Sequence, residues 1–154
     1  MGPSPYIRYA LAKAVRKGED TVVALPTQPW PQGAWRHTPG PRTYGLYAVI
    51  DGHNGAAAAE FTAAALPGRF AEELRRALGA ADGAREEAIR AALGASFLAL
   101  DEEFGSRGVL SGATCTVVVQ LGWHLSVANI GDSRAILDAG NNEARCARSR
   151  RAAR

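Results

Sequence analysis

Three short stretches of this chain gather the residue types that metal chemistry needs: Glu19-Asp20, Asp51-Gly52-His53 and Gly131-Asp132-Ser133-Arg134. A carboxylate such as Asp51 at the mouth of a strand suits a hard cation, Mg²⁺ or Mn²⁺. Gly52 lets the backbone come close and offer its carbonyl, and His53 carries a group that exchanges a proton near neutral pH. Glu19-Asp20 alone reads as a solvated acidic pair in a turn. Gly131 to Arg134 alone reads as a turn or bulge. One carboxylate rarely holds such a cation, whereas several from different strand ends can hold one ion, or two ions about 3.5–4 Å apart. A local alternative stays open for the middle stretch, in which Asp51 or Asn54 caps the helix that follows.

The elements that must position these groups can be read from periodicity. Tyr6 to Val15 suits a strand or a short helix, and Thr21 to Leu25 is a short β-branched strand. Pro26 to Arg42 holds five prolines and reads as a loop, with two tryptophans packed on the body. Tyr44 to Ile50 is a buried strand. From Asn54 the pattern is helical, with a break or restart expected at Pro67. Phe70, Leu74 and Leu78 then mark an amphipathic helix, and Ile89, Leu93, Phe97, Leu100 and Phe104 mark a second. Gly112 to Leu121 and Trp123 to Ile130 are strands around a turn at Gly122, and Ala135 to Leu137 resumes after the Gly131–Arg134 interruption. Strands, then two helices, then consecutive strands with tight turns predict an α+β fold.

Taken in order, the motifs resemble those of the metal-dependent serine/threonine protein phosphatases of the PPM (PP2C) family. The matching stretches are KGED (17–20), YAVIDGHNGAAAA (47–59), SGATCTVVV (111–119) and VANIGDSRAIL (127–137), with the KGED and DGHNG wording closest to plant-type members. The resemblance covers roughly residues 9–138. It implies a β-sandwich of two antiparallel sheets flanked by helices, with two Mn²⁺ or Mg²⁺ ions in a cleft at one end. It also implies in-line hydrolysis of phosphoserine or phosphothreonine by a metal-activated water, with no phosphoenzyme. By the same resemblance Asp51 bridges both metals and Gly52 lends one of them its carbonyl. Glu19 and Asp20 hold metal-bound waters or bind metal directly, and Asp132 stands near an additional, weaker metal position. His53 protonates the leaving alkoxide, while Thr114 and Ser133 support their strand pair.

Two departures from the family pattern stand out. Val15 occupies the place of an arginine that grips the substrate phosphate, so that role is unassigned, with Arg16 and Lys17 the nearest cations. The resemblance also stops near Leu137, with no later DG or DN motif to supply two further aspartates. The expectation is therefore a truncated phosphatase domain over residues 1–140, followed by a disordered basic tail over 141–154. Activity of such a piece is an open expectation. The alternatives are a non-catalytic, pseudophosphatase-like module that binds phosphorylated partners, and a metal phosphatase acting on small molecules.

Composition sets the remaining bounds. A chain of 154 residues with 47% apolar content suits one domain with a real core. The net charge of +3 comes from Arg145, Arg148, Arg150, Arg151 and Arg154; without residues 141–154 there remain 13 basic and 14 acidic side chains. No nucleic-acid motif accompanies that tail. No apolar run of about 18 residues and no leader pattern stands in the sequence, and two cysteines in these settings make no disulfide framework. The expectation is an intracellular, cytoplasmic or nuclear monomer with no membrane span, acting on phosphorylated proteins.

Overall fold

The computed structural model describes residues 7–12, 18–31, 40–80, 85–138, 140 and 144–147. Four strands, β1 (Thr21–Pro29), β2 (Thr43–His53), β3 (Gly112–Leu121) and β4 (His124–Ile130), form one sheet in sequence order. Every neighbouring pair is antiparallel. Between β2 and β3 the chain makes two long helices, α1 (Ala57–Ala80) and α2 (Arg85–Gly105). A separate hairpin pairs β5 (Ala135–Asp138) with β6 (Ala144–Ala147). The α+β reading holds, with both helices grouped between two strand segments.

Alternation along β2 decides which face the helices cover. Tyr44, Leu46, Ala48 and Ile50 are buried, whereas Val49, Asp51 and His53 are exposed on the other face. Register sets Ile50 opposite Cys115, Ala48 opposite Val117 and Leu46 opposite Val119, so one apolar row crosses the sheet. Leu66, Phe70 and Leu74 of α1 and Ile89, Leu93 and Leu100 of α2 close the core over that row. Phe70 meets Tyr44 edge-on at 5.6 Å, and Tyr44 in turn meets Trp30 at 6.2 Å.

Two proline expectations are corrected. β1 continues through Pro26 to Pro29, with a register irregularity between Leu25 and Gln28. β1 is an edge strand, and at a bulge there a proline forfeits no essential ladder bond. α1 likewise runs unbroken through Pro67. An interior proline costs about 3 kcal/mol. Its neighbours in the core, Leu66 and Phe70, are both 0% exposed and gain about 1.5–3 kcal/mol each by burial. Packing on both sides of Pro67 therefore holds the helix together.

Smaller differences follow the same physics. β2 runs on to His53 because Asp51, Gly52 and His53 pair with Thr114, Ala113 and Gly112. Residues 7–12 form neither strand nor helix, and Tyr9 packs against Tyr47 at 6.1 Å. Val15, Arg16, Lys17 and Trp35 lie outside the described residues. The segment expected to lack structure contains β6, in register with β5 from Ala135–Ala147 to Asp138–Ala144; the rest of 141–154 lies outside the described residues. No helix among the described residues is long and apolar enough to cross a membrane.

Candidate functional site

The predicted residues meet at one end of the sheet. Thr21 pairs with Ile50, so Asp20, just before β1, arrives beside Asp51, just after Ile50. The two carboxyl groups share a hydrogen bond. The Asp51 carboxyl is held above its ordinary value of 3.8, first by desolvation, then by the charge and hydrogen bond of Asp20, then by the charge of Asp132. His53 acts on it in the opposite sense. Three carboxylates thus bear on one another at the strand ends, an arrangement that like charges disfavour and a cation relieves.

Glycine permits this approach. A Cβ on Gly52 would lie 2.5 Å from the Glu19 carbonyl oxygen and 3.2 Å from the Ala59 Cβ. The backbone entering β1 therefore passes directly over β2 where only glycine fits. His53 pairs with Gly112, and a Cβ there would lie 2.5 Å from the imidazole Cε1 and 2.6 Å from Nε2. The His53 ring rests on bare backbone, exposed to solvent beside the carboxylates.

The loop into α1 is secured from a distance. Gly55 N–H donates to Glu19 Oε1 at 2.8 Å, and Ala58 N–H donates to Ser111 Oγ at 3.0 Å. The cap of α1 thus comes from Ser111, before β3. Asn54, one of two local cap candidates, sits at φ +59° with its amide 3.5 Å from His53 Nδ1. Asp51, the other, is drawn into β2. Glu19 spends one carboxylate oxygen on the loop.

Asp132 is held by its turn. Thr114 Oγ1 and Ser133 Oγ lie 2.7 Å apart, and Asn129 Nδ2 donates to Thr116 Oγ1 at 2.5 Å and to the Ser133 carbonyl at 2.6 Å. Thr114 and Ser133 do join the strand pair, as the resemblance implies. Asn129 and Thr116 escape motif reading because register across β3 sets them opposite each other, and Ser111 because its partner Ala58 lies 53 positions away at the start of α1. The serine and threonines of the SGATCT stretch were the available signal.

Among the described residues no set of three His, Cys, Asp or Glu side chains closes around one point as a ready metal cage. The close pair is Asp20 with Asp51, and Asp132 and His53 act on it electrostatically. This donor set fits a hard divalent cation in part: two adjoining carboxylates at an exposed strand end, with water free to complete the shell.

A family model described as protein phosphatase 2C matches residues 27–153. The chain belongs to the protein phosphatase 2C family. "Probable protein phosphatase 2C 15" of Arabidopsis thaliana is 39% identical over 137 residues, covering 87% of this chain and 29% of that protein. "Probable protein phosphatase 2C 3" of Oryza sativa subsp. japonica is 44% identical over 102 residues, covering 64% of this chain and 20% of that protein. The chain thus spans 20% to 29% of the length of these relatives. A solved structure titled as that of a C. elegans sex determining protein shares the fold. It has a TM-score of 0.56 and 23% identity, over 86% of this chain and 31% of that one. The family match runs past Leu137 and through β6.

Proposed function

We propose that this chain carries part of the catalytic face of a Mn²⁺- or Mg²⁺-dependent phosphatase acting on phosphoserine and phosphothreonine in proteins. The observation that carries the reading is the convergence of Asp20, Asp51 and Asp132, with the first two sharing a hydrogen bond. Membership of the protein phosphatase 2C family supports it.

In this reading Asp20 and Asp51 would hold the cation, and the Gly52 carbonyl could serve as a further oxygen ligand. Glu19 fixes the loop to α1 through Gly55 and is available for ligand water through its other oxygen. Asp132 would add negative charge at the edge of the site, where it could favour a further cation. A bound divalent cation supplies Lewis acidity toward the phosphoryl group and a nucleophile at neutral pH. His53, exposed and unobstructed above Gly112, gives a proton to the departing serine or threonine oxygen. The phosphate-gripping cation is unassigned.

The test is phosphate release from a phosphothreonine peptide by the 154-residue chain in millimolar Mn²⁺, beside Asp51→Ala. Mn²⁺-dependent release that disappears in the variant is the expected result. Release that ignores Asp51, or Mn²⁺ binding that ignores it, would overturn the reading. Capture of a phosphopeptide with no dependence on Mn²⁺ or Asp51 would favour the non-catalytic module instead.

A further inference from the structure

The three residues after β4 are tied back to the sheet on both sides of Asp132, while the Asp132 carboxylate itself stays exposed and engages none of the ties. On the one side, Gly131 lies so close to Thr114 that a Cβ would come within 2.7 Å of both Thr114 Cβ and Cγ2. On the other, Ser133 is held twice: its hydroxyl by Thr114 Oγ1 and its carbonyl by Asn129 Nδ2. Asn129 is itself fixed by Thr116, which the β3–β4 register sets directly opposite and which is only 5% exposed.

Resting on the metal reading above, we propose that Thr114, Thr116, Asn129 and Ser133 form a clamp that positions Asp132 against Asp51. Two carboxylates of like charge move apart when the chain lets them. A four-residue turn beyond a strand end has little packing of its own to resist that drift. Here the resistance is polar and directional. Thr114 sits on β3 opposite Asp51, so the strand that faces one carboxylate also anchors the turn that carries the other. These are positioning residues, which act through Asp132. Their hydroxyls and amide orient a ligand as the outer partners of a metal site do, where losing one weakens metal binding about 10–100-fold.

The clamp can be tested with the full 154-residue chain and Mn²⁺ as probe, following the free-ion signal by electron paramagnetic resonance. Thr114→Val keeps the shape and loses the hydroxyl, and Thr114→Ser keeps the hydroxyl. Thr114→Val is expected to weaken Mn²⁺ binding about tenfold and Thr114→Ser to restore it. In an Asp132→Ala background Thr114→Val is expected to add nothing further, because the clamp acts through that carboxylate. Amide exchange at Asp132 and Ser133, read in metal-free protein, is expected to quicken in Thr114→Val and not in Thr114→Ser. If Thr114→Val does not fold, Ser133→Ala removes the same contact from the turn side and repeats the comparison. Wild-type Mn²⁺ affinity in Thr114→Val, an undiminished loss in the Asp132→Ala background, or unchanged amide exchange would each overturn the clamp. Mn²⁺ binding that ignores Asp51→Ala would overturn the metal reading instead, and the exchange comparison then judges the clamp alone.

Discussion

Adding one methyl group at Gly52 tests the geometry of the site without touching a carboxylate. An alanine Cβ would sit 2.5 Å from the Glu19 carbonyl oxygen, and ordinary contact begins at 3.4 Å. The backbone before β1 must therefore yield by about 0.9 Å, with the Ala59 Cβ at 3.2 Å blocking another direction. Overpacking of this kind costs about 1–3 kcal/mol. In a chain of this size that corresponds to a fall in melting temperature of about 4–12 °C. Gly112→Ala is the matched control. Its Cβ would meet His53 at equally short distances, but the obstacle is the tip of an exposed side chain that can swing away. Its melting temperature should stay within about 2 °C of wild type, as for surface changes worth under 0.5 kcal/mol. The assay is thermal unfolding of metal-free protein by circular dichroism. A Gly52→Ala variant as stable as wild type, or a Gly112→Ala variant equally damaged, would refute the reasoning.

Two further outcomes follow from charge and burial. Asp51 titrates above 3.8 in the folded chain, so its contribution is fully present below that value and is lost as pH rises through the folded value. Asp51→Asn should therefore raise the melting temperature of metal-free protein at pH 7 while removing any gain from Mn²⁺; a lower metal-free melting temperature contradicts the argument. Burial alone pushes the Cys115 thiol from 9.0 up to about 12. In a Cys146→Ser background a disulfide reagent at pH 8 should label Cys115 only after denaturation, and labelling of folded protein would count against its burial. The stability contributed by that protonated thiol is full below pH 9.0 and is lost as pH rises toward 12.

Much of the site and most of the elements were legible in the residues themselves. The two helical stripes and the buried strand Tyr44–Ile50 followed from apolar spacing, because burial selects one side chain in two or one in three to four. The resemblance that the motif order carries implies one site for Asp20, Asp51, His53 and Asp132, and in the fold the charges of Asp20, Asp132 and His53 bear on Asp51. Proline misled twice, at Pro26 and Pro67, because local propensity cannot know that β1 lies at an edge or that Leu66 and Phe70 anchor α1. Local spacing offers Asp51 and Asn54 as the cap of α1, whereas Ser111 supplies it; a partner 53 positions away leaves no local signature. Glu19 also accepts the Gly55 N–H that the φ +109° turn aims at it, a tie across 36 positions that leaves no local signature.

The two bonds that close the loop into α1 have a kinetic meaning as well. Glu19 reaches Gly55 across 36 positions, and Ser111 reaches Ala58 across 53. Each shuts a long loop, and the entropy of shutting it is lost before the contact returns anything. Residues that must travel so far slow folding relative to helix formation, which needs only near neighbours. The corner that gathers the carboxylates is thus closed by contacts between residues far apart along the chain. A probe that senses Asp51 and Asp20 side by side reports that β1 has docked on β2, whereas one that senses the Ala58–Ser111 bond reports that α1 and the approach to β3 have met.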